Sequence, residues 1–146
     1  MDKMRAMELI LAAKTIKGLT FSEIAEAVDK HTVWTTSALL GQQQMSMKEA
    51  DAIVDLLGLD IEVARALQAA PMRGTAEPVP VDPLIYRFHE INQVYGTTLK
   101  ALINEEFGDG IMSAIDFHMD IERVPDPAGD RVKVTLNGKF LPYRKW

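Results

Sequence analysis

The chain of 146 residues contains no cysteine. Disulfide bonds, zinc sites with thiolate ligands and a thiol nucleophile are therefore all excluded. Histidine is scarce, and His31, His89 and His118 lie in three separate predicted elements. Asp116, His118 and Asp120 alternate along one predicted strand face, but a solvated polar face explains the same alternation. We therefore expect no metal site.

Long apolar runs are also missing from the sequence. The N-terminal segment contains only the five-residue run LILAA, which is too short for the apolar core of a signal peptide. No other stretch approaches the roughly 20 consecutive apolar residues that a membrane-spanning helix needs. The sequence thus predicts no membrane segment and a cytoplasmic protein.

The sequence also lacks an excess of positive charge. The 16 lysines and arginines are outnumbered by 21 aspartates and glutamates, which gives a formal net charge of −5. This balance disfavours unspecific binding to nucleic acid and to anionic lipid. It would also repel an anionic substrate at long range, so any site for a small anion must depend on a few local cations.

The residues that are present predict an α+β protein in three parts. Hydrophobic residues make up 47% and charged residues 25% of the chain, as in ordinary globular proteins. Residues 1–70 have the apolar spacing of short helices, and residues 84–146 pass from helical to alternating spacing. Between them, residues 71–83 contain four of the seven prolines, which predicts an extended linker.

The helix starts of the N-terminal part are marked by capping signals. Thr20 to Glu23 and Ser46 to Glu49 both fit a capping box, in which the first and last side chains satisfy each other's backbone donors. Asp60 is a typical N-cap residue. Together with the apolar spacing, these signals predict a bundle of five helices.

The C-terminal part begins with helical spacing. Asp82 followed by Pro83 is typical of a helix start, and the apolar stripe that follows is interrupted at Gly96 before it ends at Phe107. This pattern predicts two helices.

The period then changes from helical to alternating. Residues 115–122 and 132–136 alternate between apolar and polar side chains, and Asn137-Gly138 is typical of a type I′ turn before a third strand at 139–141. Three short strands make a poor sheet alone, because even a hairpin is marginal in water. We therefore expect the short strands to complete an intertwined dimer sheet with a second subunit.

The N-terminal bundle resembles a helix-turn-helix DNA-binding domain. A DNA reader needs cations for the phosphates and polar side chains for the base edges. Residues 30–44 contain one lysine, one histidine and no arginine, and residues 1–70 carry 7 basic and 10 acidic side chains. Gln42, Gln43 and Gln44 could read adenine, but nothing near them would hold the phosphates. We therefore expect no nucleic-acid binding, and an assembly role for the bundle.

Three residues of the C-terminal part could form an anion site. Arg87 and Glu90 lie three residues apart on the predicted helix, and Ser113 opens a predicted strand. Such an Arg–Glu pair is usually a surface ion pair, and a serine at a strand start is usually a turn residue. At the edge of the packed stripe, however, the carboxylate could hold the guanidinium while leaving other N–H donors for an anion.

Several longer motifs resemble the cyanase (cyanate lyase, or cyanate hydratase) family. They are YRFHE at 86–90, QVYGTTLKAL at 93–102, FGDGIMSAIDF at 107–117 and GKFLP at 138–142. The five-helix N-terminal part, with ALLGQ at 38–42, is similar to that family as well. The resemblance covers nearly the whole chain.

The resemblance implies both an activity and its residues. The family's catalytic arginine, glutamate and serine fall on Arg87, Glu90 and Ser113. The implied reaction is bicarbonate-dependent decomposition of cyanate to ammonia and carbon dioxide, with bicarbonate as co-substrate and without metal or organic cofactor. The implied assembly is a homodecamer, a pentamer of dimers with active sites shared between subunits. The alternative function is a repressor-like DNA-binding protein with a dimerising C-terminal tail.

Overall fold

The computed structural model describes residues 1–146 and divides into two compact units, Met1–Gly74 and Thr75–Trp146. The boundary lies inside the segment for which the prolines predict a linker. The helices are α1 Lys3–Lys17, α2 Phe21–Ala27, α3 Thr32–Leu39, α4 Met47–Leu57, α5 Ile61–Gln68 and α6 Pro83–Phe107, and the strands are β1 Gly110–Val124 and β2 Arg131–Pro142. The predicted α+β class and the five N-terminal helices are confirmed.

Helices α2 and α4 begin at the two predicted capping boxes. The hydroxyl of Thr20 accepts a hydrogen bond from the backbone N–H of Glu23, whose carboxylate accepts from the backbone N–H of Thr20. Ser46 and Glu49 repeat this arrangement at the start of α4. These caps satisfy backbone donors that have no partner inside the helix.

The helical unit has a hydrophobic core to which each of its helices contributes. The fully buried side chains include one from each helix, namely Ile10, Ile24, Leu39, Ile53 and Val63. Burying an aliphatic side chain of this size stabilises a fold by about 1.5–3 kcal/mol. We therefore expect the helical unit to be stable by itself.

The C-terminal unit begins with one helix of 25 residues, so the prediction of two helices is wrong. Gly96 lies inside α6, and a single glycine within a helix costs only about 1 kcal/mol relative to alanine. The predicted start is confirmed, since the carboxylate of Asp82 accepts hydrogen bonds from the N–H groups of Leu84 and Ile85. None of the residues of α6 is buried within the chain.

The prediction of three short strands is wrong as well. The sheet consists of two long antiparallel strands, β1 with 15 residues and β2 with 12. Asn137 and Gly138 do not form a turn but lie inside β2, paired with His118 and Phe117. The chain reverses instead at residues 125–130.

The C-terminal unit does not cover its own apolar surface. Ser113 is its one buried residue, and the side chains of α6 and of both strands are largely exposed in the single chain. Ile115 is 98% exposed. The sheet of an intertwined dimer stays a prediction.

No helix of the protein is both long and apolar enough to cross a membrane.

Candidate active site

Arg87 and Glu90 lie near the start of α6. The Nε of Arg87 is 3.8 Å from a carboxylate oxygen of Glu90, and the two side chains are 67% and 45% exposed. An exposed pair of this kind contributes about 0–1 kcal/mol to stability. Because Glu90 approaches the guanidinium from the Nε side, the two terminal NH2 groups of Arg87 remain available for a planar oxyanion.

Ser113 lies in an irregular segment of β1. Met112 pairs with Phe140 and Phe117 pairs with Gly138, so the residues 113–116 stand opposite one residue of β2. We call residues 113–116 the Ser113 bulge. A bulge of this kind interrupts the ladder and redirects side chains, and bulges are frequent next to active sites.

The hydroxyl of Ser113 holds the bulge closed. Its Oγ accepts hydrogen bonds from the backbone N–H groups of Ile115, at 3.0 Å, and Asp116, at 2.9 Å. The residue is only 5% exposed. Since Oγ accepts two hydrogen bonds, its own proton remains to be donated, and donors that polarise a hydroxyl make it a stronger donor. The hydroxyl can therefore stabilise a developing oxyanion.

A cavity of about 290 Å³ lies beside the bulge. Ile103 and Phe107 of α6 line it together with Met112, Gly138 and Phe140 of the two strands, and no charged side chain contributes to its wall. A small anion needs cations or several N–H donors, so this cavity is not itself a site for cyanate or for another oxyanion.

The fold does not bring Arg87 and Ser113 of one chain together. The ring of Phe107, at the end of α6, stacks on Phe140 with centroids 5.2 Å apart, and Phe140 pairs with Met112 next to Ser113. Ser113 therefore lies near the C-terminal end of α6. With a rise of 1.5 Å per residue, Arg87 lies about 30 Å away along the same helix. A site that contains both residues must take them from different chains.

His89 lies next to the pair of Arg87 and Glu90, and no sequence pattern selects it as a site residue. Its Nε2 atom is shielded from solvent and has no hydrogen-bond partner within the chain. The ring lies against that of Tyr86, with centroids 5.9 Å apart. Buried polar atoms in native proteins are nearly always paired, so a partner for this nitrogen is expected from outside the chain.

The three glutamines that could have contacted adenine bases form hydrogen bonds within the helical unit. The hydrogen bonds join Gln42 Oε1 to the N–H of Gly74, Gln43 Nε2 to Ser37 Oγ, and Gln44 Nε2 to the carbonyl of Gln68. These hydrogen bonds therefore hold loops and helix ends of the helical unit in place.

The histidines and acidic residues do not converge. No group of three or more of them is placed so that it could hold a metal ion. Asp116 lies within the Ser113 bulge, so the regular alternation that placed it on one face with His118 and Asp120 is broken. His31 lies at the start of α3, where its Nδ1 accepts from the N–H of Val33.

Comparison with known proteins assigns both units. The family described as cyanate lyase C-terminal domain matches residues 77–145, and the family described as cyanate hydratase, N-terminal, matches residues 4–71. The chain belongs to the cyanate lyase family. The matched C-terminal segment contains Arg87, Glu90 and Ser113, and the matched N-terminal segment contains the whole helix-turn-helix-like region. The repressor-like alternative gains no support from either half.

Individual relatives match over almost their full length. Cyanate hydratase from Pseudomonas putida is 51% identical over 146 residues and covers 100% of both chains. Cyanate hydratase from Acaryochloris marina is 54% identical over 140 residues, with 95% of each chain covered. The crystal structure of cyanase from T. urticae superposes with a TM-score of 0.81 at 44% identity, covering 94% of this chain and 96% of that one.

Proposed function

We propose that this member of the cyanate lyase family decomposes cyanate, with bicarbonate as co-substrate, to ammonia and carbon dioxide by way of carbamate. Family membership across both units supports the enzyme class. The observation that carries the proposal is chemical: an exposed arginine in an ion pair with a carboxylate, and a buried serine hydroxyl with a free proton, both lie in the matched segment.

Arg87 has the task of overcoming repulsion between two anions. Cyanate and bicarbonate both carry a negative charge, and the chain as a whole has a net charge of −5. A planar, permanently charged guanidinium binds an oxyanion through two parallel hydrogen bonds. If copies of Arg87 from different chains meet, the local potential is positive although the protein is acidic.

The proposed chemistry begins with attack of a bicarbonate oxygen on the cyanate carbon. The proton of bicarbonate passes to nitrogen, and rearrangement gives a dicarboxylated nitrogen intermediate that contains all atoms of both substrates. Loss of one carbon dioxide leaves an electron pair on nitrogen that takes up one proton, which yields carbamate. Carbamate takes up a second proton and decomposes to ammonia and carbon dioxide.

Ser113 and Glu90 have supporting roles in these steps. The Ser113 hydroxyl donates its proton to the oxygen on which charge develops when the cyanate carbon is attacked, and backbone N–H groups near the start of the strand assist it. Glu90 orients Arg87 and can also relay a proton to nitrogen. Holding both substrates in a reactive geometry contributes up to about 7–11 kcal/mol.

We propose that the working form is a homodecamer, a pentamer of dimers. Three observations support an oligomer with shared sites: the uncovered surface of the C-terminal unit, the shielded Nε2 of His89, and the helix length that separates Arg87 from Ser113. The helical bundle serves assembly in this proposal, without nucleic acid. The location is cytoplasmic, without a membrane partner.

The proposal includes no metal and no organic cofactor. The direct test measures ammonia release from cyanate in buffer freed of carbon dioxide, with and without added bicarbonate, and in the presence of a chelator. We expect release that depends on bicarbonate and survives the chelator. Release at an equal rate without bicarbonate, or loss with the chelator that added zinc or nickel reverses, would contradict the proposal. A gel shift at low salt tests the DNA-binding alternative.

A further inference from the structure

Gly138 lies in unusually close contact with the Ser113 bulge. A Cβ atom built on Gly138 would lie 2.3 Å from the carbonyl oxygen of Ser113 and 2.6 Å from Cγ of Met112, and real Cβ atoms essentially never approach closer than 3.0 Å. The methionine side chain can move away, but the serine carbonyl is backbone. Any larger residue would have to displace that carbonyl by about 0.7 Å, from 2.3 to 3.0 Å.

Backbone conformation does not explain this glycine. Gly138 is not among the residues with positive φ, and it lies inside β2 rather than in a turn. A glycine in the interior of a strand weakens the strand, and such a glycine often marks a close approach of another backbone. Here the backbone that approaches is that of Ser113.

The contact links Gly138 to the orientation of the Ser113 hydroxyl. Gly138 pairs with Phe117, the residue that follows the bulge, and so it closes the irregular segment on the β2 side. The hydroxyl of Ser113 closes the same segment from within, through its bonds to Ile115 and Asp116. A displaced Ser113 carbonyl would change the positions of all three groups together.

We propose that Gly138 is a positioning residue for Ser113. Its missing side chain lets β2 lie against the bulge, and this contact fixes the direction in which the serine hydroxyl donates its proton. The inference rests on the proposed function, in which that hydroxyl acts on the substrate. A misplacement of about 1 Å can reduce a rate about 100-fold, so the effect of a Cβ at this position is measurable.

Gly110 provides a matched control in the same pair of strands. A Cβ on Gly110 would lie 2.4 Å from the carbonyl oxygen of Leu141 and 2.5 Å from the ring of Phe140. The steric conflict is comparable, but Gly110 pairs with Pro142 at the end of the ladder and does not touch the Ser113 carbonyl. Gly110→Ala therefore measures how much kcat falls when the two strands are disturbed away from Ser113.

The test is a double-mutant cycle on oligomers of verified size. Gly138→Ala and Gly110→Ala are each introduced into the wild type and into Ser113→Ala, and kcat and KM for cyanate are measured. We expect Gly138→Ala to lower kcat about 10- to 100-fold in the wild type, with a smaller change in KM. In the Ser113→Ala background the same substitution should change kcat by less than about 3-fold, because the group that it positions is gone. Gly110→Ala should have equal effects in both backgrounds.

The following outcomes of the experiment decide the inference. Equal losses from Gly138→Ala in both backgrounds, or a wild-type kcat, would overturn the inference. Failure of Gly138→Ala to assemble where Gly110→Ala assembles would also overturn it, because the glycine would then serve the oligomer. Full turnover of Ser113→Ala alone would instead remove the role of the serine from the proposed function. Hydrogen exchange at the amides of Ile115 and Asp116 should be faster in assembled Gly138→Ala.

Discussion

At the residue scale, we expect Ser113 to combine a structural and a chemical task in one oxygen atom. Its lone pairs hold the amides of Ile115 and Asp116, which have lost their places in the ladder, and its proton remains for a substrate. The sequence motif indicates the serine but not the bulge. The bulge depends on which residues of β2 stand opposite, and no local pattern in β1 encodes that pairing.

Replacement of this serine should therefore affect both rate and stability. In Ser113→Ala we expect kcat to fall about 100- to 1,000-fold, the usual effect of losing one donor to a developing oxyanion. The backbone amides of Ile115 and Asp116 lose their acceptor, which should cost about 0.5–1.5 kcal/mol each, the usual net value of a hydrogen bond. Turnover and urea unfolding of the assembled variant measure the two effects. Lower stability with undiminished kcat would show that the hydroxyl only closes the bulge.

Arg87 is best tested by a change that preserves its charge. Lysine keeps the positive charge but loses the planar fork, and with it paired hydrogen bonds to an oxyanion while Glu90 is held. We expect Arg87→Lys to assemble normally and to lose about 100- to 1,000-fold in turnover.

The matched control for this change is Arg123→Lys. Arg123 forms an exposed ion pair with Asp130, at 3.7 Å, on β1. Because exposed pairs contribute little, this variant should keep its turnover. A wild-type rate in Arg87→Lys would mean that the pair of Arg87 and Glu90 is only structural.

At the element scale, features that neighbouring residues determine are predictable from the sequence, and features that another strand determines are not. The capping boxes at Thr20 and Ser46 satisfy backbone donors within four residues, so the sequence is sufficient to predict them. Asn137-Gly138 has the composition of a turn, yet Gly138 is required by a backbone from another strand. A close approach of this kind is a tertiary property, and it overrides turn preference.

The capping box of α4 predicts a pH dependence. A hydrogen bond from the backbone N–H of Ser46, with smaller contributions from its hydroxyl and from Lys30, lowers the pKa of Glu49 below its usual 4.5. A carboxyl whose pKa is lowered by folding stabilises the native state above its unfolded pKa. That contribution is lost as the pH falls through the lower, folded-state pKa.

Glu49→Gln should keep the hydrogen bond of the cap but lose this titration. We expect the urea midpoint of the variant to fall less than that of the wild type between about pH 6 and about pH 3. Asp55→Asn, on an exposed position of the same helix, is the control and should retain the wild-type acid sensitivity. Equal acid sensitivity in Glu49→Gln and the wild type would contradict this explanation.

At the scale of the whole molecule, the two units differ in how they are stabilised. The helical unit buries side chains from all five of its helices, whereas the C-terminal unit buries only Ser113. The weakness of a small sheet predicts from the sequence alone that the C-terminal unit depends on another chain. The predicted length and number of its strands are wrong. Nothing within the chain covers the surface of α6, and a pattern in a single sequence cannot show what does.

Unfolding should therefore occur in two steps. With rising urea we expect activity and oligomer size to be lost together, while much of the helical signal persists until a second transition. Leu39→Ala, which removes a buried side chain from the helical core, should lower the second transition by about 2–5 kcal/mol and leave the first nearly unchanged. Sedimentation, turnover and far-ultraviolet circular dichroism on the same samples measure these steps. One coincident transition would contradict the separation of the two units.

We infer that one active site takes Arg87 and Ser113 from different chains. The most direct measurement is ammonia release by oligomers assembled from a mixture of Arg87→Lys and Ser113→Ala chains, with composition verified by mass. Some sites in such oligomers contain an intact Arg87 from one chain and an intact Ser113 from another. We expect turnover well above that of either parent oligomer and of the two parents combined without subunit exchange. Verified mixed oligomers that remain as inactive as their parents would show that the two residues do not share a site in this way.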